Sequence, residues 1–138
     1  MNKILGANGV IAQDLSRAHV SFSPAIRQAN RNPRKANTTD ETVMADLLGS
    51  LANANAVLGS ETVFLVTDLE YNMSVWQVQW SQVMHNVVDD CVHHGARLVP
   101  FDNVYAYGRV DGMMAEETPF NPISKKGGQG KDSNQAAR

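Results

Sequence analysis

Short apolar runs alternate with longer amphipathic stretches along the chain, which is the pattern of a parallel α/β sheet. The apolar runs predict five strands, at residues 3–5, 25–30, 43–45, 61–67 and 98–101. Three stretches between them have the spacing of helices, at residues 10–19, 50–58 and 75–94. The fourth strand is β-branched and almost wholly apolar, which is typical of a strand covered on both faces. The predicted fold class is therefore α/β with a parallel sheet.

Residues suited to helix ends flank the predicted helices. Ser74 is predicted to cap the longest helix, and Gly95 to follow it in the left-handed conformation. Ser50 and Gly59 are predicted to take the same two roles in the middle helix. The longest helix presents one apolar face, made of Trp76, Trp80, Val83, Met84, Val87, Val88 and Cys91. The first helix is predicted to bury Ile11, Leu15 and Ala18.

Length and composition limit the function. The chain has 138 residues, of which 43% are hydrophobic, enough for one ordinary domain with a genuine core. Twelve basic residues against fourteen acidic ones give a net charge of −2, which argues against a nucleic-acid-binding module. No apolar run reaches the ~18 residues of a membrane span, and a single cysteine forms no internal disulfide. We therefore expect a cytoplasmic protein without a membrane or nucleic-acid partner.

The last part of the chain differs from the rest in composition. From Arg109 onward the sequence is loop-like, and between residues 124 and 138 only Ala136 and Ala137 are apolar. We expect the folded domain to span residues 1–123, and residues 124–138 to form a disordered tail.

A glycine motif of the form G-x-x-G-x-x-A lies between the first strand and the first helix, at residues 6–12. Gly6 permits a tight exit from the strand, Gly9 permits close approach of a pyrophosphate, and Ala12 keeps the helix near the sheet. The start of the helix then presents N–H groups to phosphate. This context favours a dinucleotide site over a glycine turn without a ligand. The predicted contacts of the motif are Gly6, Asn8, Gly9, Val10 and Ile11.

Basic residues follow the second strand, where an NAD site usually has a carboxylate. No acidic residue lies between Asp14 and Asp40, whereas Arg31 and Arg34 lie in this interval. Arginine binds a phosphate bidentately, so the pattern favours NADP over NAD, although a solvated basic loop has the same composition. Asp46 is interpreted either as an acceptor for the adenine amino group or as a cap of the next turn. The predicted cofactor-binding set is completed by Leu47, Val66, Thr67 and Asn103.

The order of these motifs resembles the short-chain dehydrogenase/reductase superfamily, and more narrowly its extended and atypical branch of NAD-dependent epimerase/dehydratase proteins. The resemblance covers roughly residues 2–125, and it rests on the glycine turn and on the segments at residues 30–33, 45–47, 63–65, 104–108 and 117–122. It implies a three-layer Rossmann fold with strand order 3-2-1-4-5, which binds its cofactor at the carboxyl ends of the strands. Members of this family are about twice as long, so we expect the chain to be the N-terminal half of such a protein.

The catalytic residues that the resemblance implies are missing. Active members use a Tyr and a Lys four positions later, but none of Tyr71, Tyr105 and Tyr107 has a Lys at that spacing. Asn103 stands where the family has a catalytic hydroxyl. Asn103 and Tyr107 are therefore expected to line the site at most. Pro100 is expected on an edge strand, because proline donates no ladder hydrogen bond.

Three functions remain open. In the first, the chain is the NAD(P)-binding part of an oxidoreductase or epimerase, whose chemistry is completed by absent residues or by a partner chain, with a homo-oligomer also open. In the second, it is a non-catalytic NADP(H)-binding regulatory or scaffold module. In the third, it is an incomplete domain with little cofactor affinity. The substrate is not predictable from these residues.

A metal site is the weaker reading of the acidic and histidine residues on the longest helix. Asp89 with His93, and Asp90 with His94, have i,i+4 spacing, but no second cluster completes a ligand set. We predict no metal site, and a packing role for Cys91.

Overall fold

The computed structural model describes residues 1–67, 73–102 and 104–123, and within them five strands form one parallel sheet in the order β3-β2-β1-β4-β5. The strands are β1 Asn2–Leu5, β2 Ile26–Asn30, β3 Glu41–Met44, β4 Thr62–Leu65 and β5 Arg97–Pro100. The helices are α1 Val10–His19, α2 Ser50–Val57 and α3 Met73–His94, and a short 3₁₀ helix follows at Val104–Tyr107. All predicted strands and helices are confirmed, with shifted ends.

Helices cover both faces of the sheet. Leu5, Val63 and Leu65 point to the α2–α3 side, where the larger core cluster also contains Trp80 and Val83. A smaller cluster on the α1 side contains Ile4, Ala12 and Ile26, with Phe64 packed against it. Because successive strand residues point to opposite faces, β4 contributes to both clusters. The chain therefore has the three-layer α/β architecture and strand order of a Rossmann-like fold.

The apolar face of α3 is buried as its spacing predicts. Its residues Trp76, Trp80, Val83, Met84, Val87 and Cys91 are buried, and Val88 packs against them. Gly95 has a φ of +65°, and the amide of Ala96 donates to the carbonyl of Cys91 at 2.8 Å, which closes the helix. The helix begins at Met73, so the predicted capping role of Ser74 is wrong: Ser74 lies within the first turn.

The N-terminal cap of α2 also differs from the prediction. Gly49 is the capping residue, and Ser50 is the first residue of the helix, so the predicted cap at Ser50 is wrong. The predicted end is confirmed, because Gly59 follows with a φ of +71°. Leu58, which the pattern placed in this helix, is its C-terminal cap and is 56% exposed.

The buried face of α1 is displaced by one position from the prediction. Ala12 and Ser16 are buried, whereas Ile11 is 47% exposed and Ala18 is exposed. Leu15, which was predicted to be buried, is partly buried and packs against the smaller core cluster. The small side chains of Ala12 and Ser16 therefore form the buried face, and apolar periodicity does not detect a buried serine.

A buried polar network explains the serine. Gln28, fully buried on β2, donates from Nε2 to Ser16 Oγ at 2.6 Å and to Asp40 Oδ2 at 2.9 Å. Asp40 also accepts from the amides of Ala36 and Asn37, at 3.0 and 2.9 Å. Burial opposes ionisation of Asp40, but the hydrogen bonds from Asn37, Gln28 and Ala36 together hold its pKa below the ordinary value. The network ties the segment before β3 to α1 and β2.

A second buried polar contact fixes the end of α2. Lys3, on β1, is fully buried and donates from Nζ to the carbonyl of Leu58. Arg27 donates to the same carbonyl at 3.4 Å and pairs with Glu41 at 2.9 Å. Burial and the positive charge of Arg27 outweigh the attraction of Glu41 and lower the pKa of Lys3 to about 8. Two cationic side chains thus meet the negative end of this helix.

At the sheet edge, Pro100 lies on β5, which pairs with β4 alone within the described sheet. Arg97 and Phe101 donate to the carbonyls of Glu61 and Leu65, both at 2.8 Å. Backbone N–H groups alternate in direction along a strand, so the nitrogen of Pro100 faces away from β4. The missing N–H donor is therefore on the outer side of the sheet. No helix in the described part of the chain has the length and apolar character needed to cross a bilayer.

Replacing Asp40 tests the polar network. Asp40→Asn keeps one oxygen for the amides of Ala36 and Asn37, but it replaces the other oxygen, which accepts from Asn37 Nδ2 at 3.2 Å, with an NH2 donor. At pH 7 the free energy of unfolding should therefore fall by about 1–3 kcal/mol. Because folding lowers the pKa of Asp40, its contribution is complete above the unfolded-state pKa and is lost as the pH falls through the folded-state pKa. Urea titrations at pH 7 and near pH 3 should show the gap between the two proteins narrowing at the acidic pH. A gap that widens on acidification would contradict this assignment.

Candidate functional site

A cleft of about 490 Å³ opens at the carboxyl ends of β1, β2 and β4. This is where parallel α/β sheets bind their ligands, next to the point at which the strand order reverses. The glycine turn after β1 forms one wall. The lining residues are Gly6, Ala7, Asn8, Gly9, Asn30, Arg31, Ala45, Asp46, Leu47, Leu48, Val66, Thr67, Gln79 and Val83.

Gly6 fixes the turn against β4. Its φ is +88°, and a Cβ at this position would lie 2.5 Å from the Cα of Thr67, closer than atoms can approach. The amides of Gly6 and Ala7 both donate to the carbonyl of Ala29, at 3.0 and 3.1 Å. A residue without a side chain is therefore required where the chain passes between β2 and β4.

Gly9 has a different environment. It caps α1 with a φ of −67°, makes no side-chain capping bond, and has no heavy atom within 4 Å of where a Cβ would stand. The amide of Gln13 makes the first helical bond, to the carbonyl of Gly9 at 3.0 Å. The amides of Val10 and Ile11 therefore have no acceptor within the helix. Gly9 thus leaves open space beside the positive end of α1.

Val10 and Ile11 do not line the cleft with their side chains, which are exposed. Their position in the first turn places only their amides at the helix start. Of the predicted residues in the motif, Gly6, Asn8 and Gly9 line the cleft directly.

Arg31 lines the cleft immediately after β2, and Arg34 lies outside the lining. Both are exposed, and among the residues that the structure describes neither takes part in an ion pair. The side chain of Asn8 joins the turn to this basic segment: its Nδ2 donates to the carbonyl of Asn32 at 2.7 Å, and its Oδ1 accepts from the amide of Arg34 at 2.9 Å. The cleft is thus bounded on this side by Arg31, and Arg34 follows in the same exposed segment.

Asp46 takes the capping role, which is one of the two roles that its sequence position left open. Its Oδ1 accepts from the amide of Leu48 at 3.1 Å, and its carbonyl accepts from the amide of Gly49 at 2.8 Å, so it caps the turn before α2. It is exposed and also lines the cleft. Leu47, Val66 and Thr67, predicted in the same set, line the cleft as well.

The sequence prediction missed six lining residues: Ala7, Asn30, Ala45, Leu48, Gln79 and Val83. Asn30 could have been identified from its position, because it ends β2 where an NAD site usually has a carboxylate. Its Nδ2 donates to the carbonyl of Ala7. Gln79 and Val83 belong to α3, and nothing in their local sequence indicates that this helix reaches the mouth of the cleft.

Of the two residues expected near a catalytic position, only Tyr107 lies within the described ranges. Asn103 lies outside the described residues, as do residues 124–138. Tyr107 does not line the cleft: its ring packs against Phe120, with the ring centroids 5.1 Å apart. The next residue, Gly108, has a φ of +68°, and a Cβ there would lie 1.9 Å from the carbonyl oxygen of Asn121. The segment after β5 is thus folded back on residues 120–121.

One histidine of α3, His85, contacts an acidic side chain of the same helix, and both side chains are exposed. His85 Nε2 lies 3.2 Å from Asp89 Oδ2, and within the described ranges no three His, Cys, Asp or Glu side chains are grouped as metal ligands would be. Burial and the charge of Asp90 raise the pKa of the Cys91 thiol to about 11, so it remains protonated at neutral pH. Cys91 belongs to the core of α3.

Neither a protein-family model nor a curated protein matches the sequence. Solved structures match its fold. Uronate dehydrogenase from Agrobacterium tumefaciens matches with a TM-score of 0.82 and 17% identity over 97% of this chain and 53% of that enzyme. MoeE5, in complex with UDP-glucose and NAD, matches with a TM-score of 0.77 and 21% identity over 99% of this chain and 47% of MoeE5. UDP-galactose 4-epimerase matches with a TM-score of 0.77 and 22% identity over 96% of this chain and 49% of the epimerase.

The chain spans about half the length of these structures. A mutant of the Agrobacterium dehydrogenase was solved in complex with NAD. At such identities the similarity establishes the fold alone: the chain has the Rossmann-like α/β fold of these structures.

The two glycines should respond differently to alanine. Gly6→Ala forces a Cβ into Thr67 at a positive φ and should lower the free energy of unfolding by more than about 3 kcal/mol, since both the backbone strain and the clash oppose folding. Gly9→Ala meets no protein atom and should cost at most about 1 kcal/mol, the ordinary preference for glycine over alanine at this cap. Thermal and urea denaturation measure both values. Equal losses would contradict the described turn.

Proposed function

We propose that the chain is the dinucleotide-binding part of a short-chain dehydrogenase/reductase of the extended or atypical branch, related to epimerases and dehydratases. The observation that carries this proposal is the open space at Gly9, next to free amides at the start of α1 and inside a cleft at the strand ends. Such a site receives a pyrophosphate on backbone N–H groups.

The residues present suit the adenosine diphosphate part of the ligand. The volume of about 490 Å³ lies within the range of small-molecule sites. Gly6, Gly9 and the amides of Val10 and Ile11 would hold the pyrophosphate. The carboxylate of Asp46, which uses one oxygen on Leu48, has the other for the adenine amino group. The flanking contacts to the ligand are assigned to Leu47, Val66, Thr67 and Asn103.

The end of β2 supports a preference for NADP. The cofactor named with the similar structures is NAD, so this preference rests on residues of the present chain alone. Asn30 ends the strand with its amide engaged on Ala7, and no carboxylate follows before Asp40 to accept from a ribose hydroxyl. Arg31 borders the cleft and Arg34 is close along the chain, so their charges favour a 2′-phosphate.

The bound nicotinamide would supply hydride-transfer chemistry, while the protein binds, orients and protonates. None of the three tyrosines is followed by a lysine four positions later, so the proton-transfer pair of the family is missing from this chain. A non-catalytic NADP(H)-binding module is therefore the second candidate, and it is favoured by the same absence. Under either function we expect no reductase turnover by this chain alone.

Calorimetric titration distinguishes the cofactors. We expect NADPH to bind more tightly than NADH, and Arg31→Ala to weaken NADPH binding by about tenfold, the effect of one charge-assisted hydrogen bond, while NADH binding stays the same. Lys35→Ala is the matched control: it removes a positive charge from the same segment, but Lys35 does not line the cleft and its Nζ lies 3.5 Å from the carbonyl of Thr38. Equal affinities for NADPH and NADH would remove the preference, and binding of neither would refute the proposed function.

Gly9→Val tests the pyrophosphate site. The larger side chain enters space that the protein leaves empty, so it should weaken both NADPH and NADH by more than about tenfold while the melting temperature remains near that of the original chain. Gly9→Ala should give a smaller loss of affinity, graded with side-chain size. Unchanged binding in the valine variant would place the dinucleotide elsewhere.

A further inference from the structure

The segment at residues 31–35, here called the basic loop, is held at both ends by side chains from outside it. At the far end, Asp40 accepts from the amides of Ala36 and Asn37, and Asp40 is itself buried and bound to Gln28. At the near end, Asn8 binds the loop backbone. The loop is therefore attached to the folded core on one side and to the glycine turn on the other.

Asn8 has an unusual backbone. Its φ is +84°, and it is the only non-glycine residue in the described ranges with a positive φ. This conformation costs free energy for a residue with a side chain, and asparagine tolerates it better than most. In return, its amide group makes a bond in each direction: Nδ2 donates to the carbonyl of Asn32 at 2.7 Å, and Oδ1 accepts from the amide of Arg34 at 2.9 Å.

The two bonds fix the distance between two surfaces of the cleft. Gly9, one residue after Asn8, begins the helix that presents its amides to a pyrophosphate, and Arg34 is bonded directly through its own amide. Arg31 lies one residue before the bonded carbonyl of Asn32. A polar ligand that spans the turn and the basic loop would meet both surfaces already in place, so less ordering free energy is lost on binding.

We propose that Asn8 is a specificity-determining positioning residue: it holds the basic loop against the glycine turn so that Arg31 and Arg34 receive the 2′-phosphate of a dinucleotide whose pyrophosphate lies on that turn. This inference rests on the proposed function. Asn8 acts here through the two arginines, so its removal should affect recognition of the 2′-phosphate more than recognition of the rest of the ligand.

The test uses Asn8→Gly, which keeps a backbone suited to positive φ and removes both side-chain bonds. Two probes report on the two parts of the site: ADP-ribose, and the same molecule with a 2′-phosphate. In the original chain the phosphorylated probe should bind more tightly. In Asn8→Gly the ratio of the two affinities should fall by about tenfold, while the affinity for ADP-ribose changes only a few-fold.

Two further variants separate positioning from general damage. Asn32→Ala changes the same loop but keeps the backbone carbonyl that accepts from Asn8, so the affinity ratio should be unchanged. In a chain that already carries Arg31→Ala and Arg34→Ala, adding Asn8→Gly should alter the ratio no further, since the groups through which Asn8 acts are absent.

The outcomes distinguish this inference from the proposed function. If the original chain binds neither probe, the proposed function fails and this inference fails with it. If the chain binds both probes equally, or if Asn8→Gly lowers both affinities by the same factor, the dinucleotide site stands and the role of Asn8 is refuted. A persistent effect of Asn8→Gly on the ratio without the arginines would also refute it.

Discussion

The cleft depends on one close approach of backbone to backbone. Gly6 passes so near to Thr67 that no side chain fits between them, and its amide and that of Ala7 share the carbonyl of Ala29. The exit of β1 is thereby fixed to both neighbouring strands at once. Because α1 starts only three residues after Ala7, the direction of its first amides follows from the same contact. The empty space at Gly9 is then a consequence of where the helix must begin.

The sheet and the cleft are linked by polar groups that lie on the α1 side. If only apolar side chains lay between α1 and the sheet, the segment between β2 and β3 would be joined to the core only through the two strands that it connects. Instead, Gln28 joins Ser16 of the helix to Asp40 of that segment, and the hydrogen bonds to Asp40 favour its charged form in spite of burial. The segment that follows the cationic side chains is thus hydrogen-bonded to the core.

The fold was largely predictable from the sequence, and the site only in part. The face of α3 follows directly from its apolar spacing, because burial of large side chains decides the orientation of a long helix. The face of α1 was assigned one position away, since its packing depends on the small residues Ala12 and Ser16 and on a hydrogen bond. In the cleft, Gly6, Gly9 and Arg31 were found from motif and position. Gln79 and Asn30 were not, because the first comes from a distant helix and the second engages the turn through a side-chain amide that no spacing rule encodes.

The proline at the outer side of β5 has a consequence for association between molecules. An edge strand offers alternate N–H and C=O groups to any extended chain that comes alongside. Leu98 retains such a donor, but at Pro100 the outward nitrogen carries a ring carbon instead of a hydrogen, so a docking strand would lose a bond and meet steric bulk at the same place. Pro100 therefore disfavours the pairing of another strand with the outer side of β5 beyond the first few residues of that strand.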